Sequence, residues 1–179
     1  ASDAARVGVR AVQLDGLVRG GDLVRVRRAA YALREQYDAA DPQERYRLRT
    51  KAILRSRPPL DAASHHAALM LHHVDTYDVD LSTVDLVARV KAARVRSGLR
   101  THPGLGVVAD RSQGYNVVAL PTALCQLAGG SGVVAAVCSM DDALHDARCT
   151  IEQLGPRPTT SPSTTGRLPR APSPSPILP

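Results

Sequence analysis

The chain reads as a mainly α protein with a small β component. The expected architecture is a helical core holding a helix-plus-hairpin unit, with an extended Pro-rich arm at the C-terminus. Three observations predict this. Apolar residues recur at helical spacing in several capped segments, beginning with Leu23, Val26, Ala30, Leu33 and Tyr37. Two short Val-rich runs flank Asp110–Gly114, where Gly114 is available for a positive φ. The last 24 residues hold eight of the thirteen prolines together with eight Ser/Thr, a composition that cannot bury a core.

The elements follow in order. Residues 5–14 alternate loosely and predict a strand, broken by Gly20-Gly21. Asp22 is placed to cap a first helix whose buried stripe is the one just named. Asp41-Pro42-Gln43-Glu44 announces a second helix, to about Arg55, with a cap, Pro at the first position and Glu three residues on. Pro58-Pro59 ends it. A third helix is expected over Asp61–Val74, followed by an acidic connector. Ser82-Thr-Val-Asp85 reads as a capping box and Gly98 as the closing glycine of a fourth helix. Beyond the hairpin of Leu105–Ala109 and Tyr115–Leu120 come a short helix to Ala128, a strand Val133–Cys138 and a last helix Asp141–Leu154 capped by Ser139. The resulting division is 1–40 as a basic strand and helix, 41–154 as the core, and 155–179 as the arm.

Composition narrows the function classes. The 179 residues carry a formal charge of +6, and 44% of them are hydrophobic, enough to build a core. No apolar run approaches the length of a membrane span and the start shows no signal-peptide pattern, so neither membrane insertion nor secretion is expected. Three cysteines without a metal-ligand spacing argue against a disulfide framework and for a reducing compartment. The chain lacks Phe and Trp and has two Lys against twenty-one Arg, the bias of a very GC-rich genome. Residues 1–60 hold thirteen Arg/Lys against seven Asp/Glu, so the positive excess lies largely in the first third. Guanidinium groups suit bidentate contact with phosphate.

The fourth helix and the ribbon after it form the most specific pattern. A helix opening Ser82-Thr83-Val84-Asp85 and carrying Arg89, Lys91, Arg94 and Arg96, then a hairpin with Arg111-Ser-Gln-Gly114-Tyr115, resembles the winged helix-turn-helix domain of OmpR/PhoB-type response regulators. The resemblance covers about 41–120. Lys91 departs from it, standing where the family keeps a core Leu. The resemblance implies a DNA-binding domain whose recognition helix presents Arg89 and Arg96 to the major groove, with Arg111 at the wing tip. In composition alone the tail is similar to the proline-alanine-serine-rich coat proteins of polymycoviruses, which implies a virion or filament subunit.

Other motifs dissolve on inspection. His65-His66 and His72-His73 stand i,i+7 apart, about 10.5 Å along a helix, too far for one ion, so no metal is assigned. Asp75-x-x-Asp78-x-Asp80 lacks the glycine and terminal Glu of a calcium loop. Gly104-Leu-Gly106 precedes a strand rather than bridging strand and helix, so it is no dinucleotide fingerprint. No nucleophile triad assembles, and Cys125, Cys138 and Cys149 fall in apolar stretches expected to hold inert core thiols.

The sequence therefore predicts a non-enzymatic nucleic-acid-binding protein without a cofactor. It would contact phosphate through Arg27, Arg34, Arg45, Arg49, Arg89, Arg96 and Arg111. DNA and RNA both remain open as the partner. Self-association through 155–179 is expected, and the location is cytoplasmic, at a bacterial nucleoid or, for a viral chain, in a virion. The alternative is a capsid, coat or filament subunit whose arm contacts its neighbours.

Overall fold

A computed structural model describes residues 6–104 and 109–155. In order along the chain it places α1 (Ala11–Gly20), β1 (Leu23–Arg27), β2 (Ala30–Leu33), α2 (Arg34–Ala39), α3 (Pro42–Arg55), β3 (Ala62–Ala63) and α4 (His65–Leu71). Then come β4 (Val84–Ala88), β5 (Arg94–Arg96), β6 (Leu99–Pro103), β7 (Ala109–Ser112), β8 (Tyr115–Val118), α5 (Leu120–Gly130), α6 (Val133–His145) and α7 (Ile151–Leu154). The fold is thus α/β and not mainly α. Its centre is a six-stranded mixed sheet in the order β5-β6-β4-β3-β8-β7, accompanied by the separate β1–β2 hairpin.

Strand β4 overturns the expected fourth helix. Val84-Asp-Leu-Val-Ala is buried at all five positions, between β6 on one side and β3 on the other. A near-continuous apolar run covered on both faces is the signature of an interior strand, and Val84 and Val87 add β-branched bulk. The supposed capping box is absent: Asp85 is buried, and Asp80 Oδ1 accepts the Ser82 N–H at 2.8 Å instead. Gly98 does adopt a positive φ (+68°), but beside Ser97 (+50°) in the two-residue turn joining β5 to β6. Positive φ at both turn positions is what a type I′ hairpin requires. Arg89 and Arg96 therefore sit on a loop and an edge strand, not on one recognition helix.

Three other segments also change type. The expected strand over 5–14 yields to α1, whose Arg10 N–H is received by Gln13 Oε1 at 2.8 Å. The expected helix after Asp22 is the β1–β2 hairpin, with Val24 opposite Ala32 and Arg25 opposite Tyr31. There the strict alternation Val24-Arg25-Val26-Arg27 wins over the looser helical stripe. The expected strand 133–138 belongs to α6, and Ser139 lies buried inside that helix instead of capping a later one. Helix α6 turns Ala135, Ala136, Ser139 and Ala143 inward and leaves Val133, Val134 and Val137 exposed.

Two helices stand as expected. Helix α3 starts with Asp41 accepting the Glu44 N–H at 2.8 Å and has Pro42 in its first turn. The expected helix to Ala128 is α5. The hairpin forms, but its first strand is Ala109–Ser112 rather than Leu105–Ala109, because the turn is the two residues Gln113 (φ +51°) and Gly114 (φ +82°) and not Asp110–Gly114. The third expected helix is shortened to α4, with β3 taken from its start. Its C-terminal carbonyls find partners across the fold: Leu71 receives Ser112 Oγ at 2.6 Å, and His72 receives Arg148 Nη1 at 3.2 Å. Orphan carbonyls at a buried helix end need such donors.

The core is built from Leu, Val, Ile and Ala on α3, α4, α5 and the central strands, with Tyr46 donating its hydroxyl to the Thr83 carbonyl at 3.2 Å. Ala30 of the hairpin belongs to the same buried cluster, so the hairpin is anchored on the core. Cys149 is buried, but Cys125 and Cys138 are exposed, against the expectation of three core thiols. Among the described residues no helix is long and apolar enough to cross a membrane. The arm after Gly155, with the self-association assigned to it, lies outside the described residues, as does most of the run Leu105–Ala109.

Candidate nucleic-acid interface

A groove of about 660 Å³ opens between the β1–β2 hairpin and the edge of the large sheet. Arg27 and Arg28 enter it from the hairpin, Arg94 and Arg96 from edge strand β5, and Arg57 from the segment after α3. Val26, Val95, Leu99 and Thr101 form its apolar floor and walls. A second groove, of about 570 Å³, is lined by Arg6, Arg55, Arg57 and Arg111 with Tyr115 and Asn116. Arg57 lies in both, which joins the two grooves into one arginine-lined belt. Asp61 is the only carboxylate among the described lining residues, and it already pairs with Arg57 at 2.7 Å.

Local structure places these cations close together. Arg94 and Arg96 stand two residues apart on β5, all three of whose residues are exposed. The tight Ser97-Gly98 turn then brings the end of β5 to the hairpin. Arg27 spans the gap, donating from Nη2 to the Arg96 carbonyl at 3.2 Å and from Nε to the Ser97 carbonyl at 3.4 Å. Burial, followed by the charges of Arg57 and Arg96, lowers the Arg27 pKa from its ordinary value. Crowded like charges of this kind gain most from an anion. Among the described residues Arg28, Arg94 and Arg96 make no side-chain hydrogen bond or ion pair. In the second groove Arg111 donates to the Gly114 carbonyl at 2.7 Å and Arg55 to the Tyr115 hydroxyl at 2.9 Å.

The seven arginines singled out in the sequence separate into three groups. Arg27 and Arg96 share the first groove and Arg111 lines the second. Arg34, Arg45 and Arg49 are bound within the fold. Arg34 reaches the Leu23 carbonyl at 3.5 Å and Asp38 at 3.7 Å. Arg45 donates to the carbonyls of Tyr37 and Asp38 at 2.9 and 2.8 Å. Arg49 donates to the Leu81 carbonyl and lies over the Tyr46 ring. Arg89 is exposed at a separate cavity beside Leu60 and Gly104. Sequence reasoning passed over Arg28, Arg57 and Arg94 as groove residues. The signal for Arg94 was the alternation Arg94-Val95-Arg96, a strand pattern with arginine on one face.

A second polar cluster lies across strand β6. Leu99 and Thr101 line the groove, so Arg100 and His102 project from the opposite face of the strand. There His102 Nε2 meets Asp85 Oδ1 at 2.6 Å, and the His102 ring stacks on His65 with centroids 4.2 Å apart. Burial, and then the neighbouring His102, push the His65 pKa down to about 4. His65, Asp85 and His102 are the one group among the described residues whose ligand atoms converge as a metal site requires.

The sequence matches no protein-family model, and no curated protein matches it.

Proposed function

We propose that this chain binds nucleic acid along the arginine belt, with successive phosphates held by Arg94, Arg96 and Arg28, then Arg57, then Arg55 and Arg111. The observation that carries the reading is the pair of grooves joined at Arg57, with one carboxylate among their described lining residues. A protein does not ordinarily gather so many guanidinium groups without counter-charge, because their mutual repulsion destabilises the fold. A polyanion relieves that cost and fits the planar donor fork of each arginine. The interface so formed reads backbone, since the amides of Gln113 and Asn116 in the belt already donate to the Leu71 and Pro59 carbonyls.

Salt dependence tests this directly. Fluorescence anisotropy with a labelled DNA duplex and an RNA duplex of the same sequence should show affinity falling steeply with salt. Each phosphate neutralised contributes about −0.9 to the slope of log K against log salt on a B-form duplex. Six contacts predict a DNA slope of about −5.4. A slope near zero with both duplexes would remove the polyanion from consideration.

A further inference from the structure

We propose that His65, Asp85 and His102 form a binding site for a divalent transition-metal ion of the zinc type. The three residues come from different elements. His65 begins α4, Asp85 lies in the middle of β4 and His102 near the end of β6. One ligand atom from each lies within 4.8 Å of the other two. Around a tetrahedral zinc with bonds of about 2.0–2.2 Å, ligand atoms stand about 3.3–3.6 Å apart. Side-chain adjustments of an ångström or so would close this cluster on an ion.

The donor set has the right chemistry. Two imidazole nitrogens and one carboxylate oxygen suit zinc and its first-row neighbours, and three protein ligands leave a coordination position for water. His65 is held in orientation at both ends. Its ring Nδ1 is 3.1 Å from Ser64 Oγ, and its backbone N–H donates to Gln126 Oε1 at 3.1 Å. With Nδ1 bonded to Ser64, Nε2 remains as the ligand atom, the outer hydrogen bond typical of a metal-bound histidine.

Asp85 supplies the independent observation. Its side chain is 1% exposed, yet Oδ2 has no hydrogen-bond partner among the described residues. Beyond His102, bonded to Oδ1, the nearest basic side chains are His66, whose Nδ1 is 3.8 Å from Oδ2, and Arg100, whose Nη1 is 3.6 Å from Oδ1. A buried carboxylate with an orphan oxygen is costly. A cation bridging Asp85 to both histidines would bring a positive charge directly onto this carboxylate. Arg100, whose side chain is 40% exposed, has room to turn towards solvent as the ion enters.

The test uses the full chain without affinity-tag histidines, stripped with EDTA and dialysed. Zn²⁺ is titrated against a chromophoric chelator, and Co²⁺ is followed by its visible absorption. One equivalent of tightly bound Zn²⁺ is expected, with cobalt bands of the intensity seen for four-coordinate sites. H65A and H102A should each weaken Zn²⁺ binding at least tenfold while circular dichroism stays that of the folded chain. If either variant unfolds, the other decides. H73A, which alters an exposed histidine bonded to Gln113, should bind Zn²⁺ like the parent. R100A should bind Zn²⁺ as tightly or severalfold more tightly, because a competing cation has gone. The proposal is overturned if Zn²⁺ binds more weakly than about 10 μM, or if binding survives both H65A and H102A. It is equally overturned if R100A abolishes binding, which would make the cluster an ion-pair network and not a metal site.

Discussion

Helix α3 and edge strand β5 are both rich in arginine and use it in opposite ways. On α3, Arg45 and Arg49 are bound to carbonyls of Tyr37, Asp38 and Leu81, and Arg47 pairs with Glu44 at 2.6 Å. On β5, Arg94 and Arg96 have no such partner among the described residues and face Arg27 and Arg28 across a groove. Positive charge counted along a sequence therefore says little about where an anion will bind. What decides is how far each guanidinium has already been satisfied by a neighbouring carbonyl or carboxylate, since the unsatisfied ones gain most from a phosphate.

That contrast can be broken by substitution. The largest effect is expected from R28A/R94A/R96A. Affinity for a DNA duplex at about 50 mM salt should fall on the order of 100-fold, and the salt slope should flatten by about 2.7. The melting temperature should not drop, because exposed, unpartnered cations are being removed. Unchanged binding would dissolve the distinction. R49A should behave inversely. Loss of the bond to the Leu81 carbonyl and of the packing over Tyr46 should cost about 1–3 kcal/mol in denaturant unfolding, with the salt slope intact.

Gly98→Ala sharpens the comparison from a third side. Its φ of +68° disfavours a Cβ, which would also lie 3.3 Å from the Ser82 carbonyl oxygen. A destabilisation of about 1–2 kcal/mol is expected. Because this turn sets β5 against the hairpin, nucleic-acid affinity should fall with it although no arginine is touched. The smallest effect is expected for R45A, which loses two bonds to carbonyls in the last turn of α2. About 0.5–1.5 kcal/mol of stability should go, with anisotropy titrations overlaying those of the parent.

Legibility in the sequence followed how local each signal was. Helix α3 could be read because Asp41, Pro42 and Glu44 act within one turn of chain. The β7–β8 turn could be read because Gln113-Gly114 is self-contained. The segment 82–98 misled because Ser82, Asp85 and Gly98 are the residues a capped helix uses, while their roles here depend on distant partners. Asp85 lies against His102 from another strand, and Gly98 turns a hairpin. Segment 133–138 misled because its valines favour a strand in isolation, whereas Ala135, Ala136 and Ser139 provide the small inward face on which the helix packs. The His65–Asp85–His102 cluster has no spacing to recognise, being assembled across 37 residues by the β4–β6 pairing and the start of α4.

Strand β3 is only two residues long, and it is clasped on one flank by β4 and on the other by β8, with Ala63 opposite Val117. A nascent polypeptide leaving the ribosome would have to release everything up to Val118 before that central clasp could shut. Until then the half-made sheet would present bare backbone donors and acceptors along its middle, a window in which a stalled or truncated product is prone to stick to its own kind.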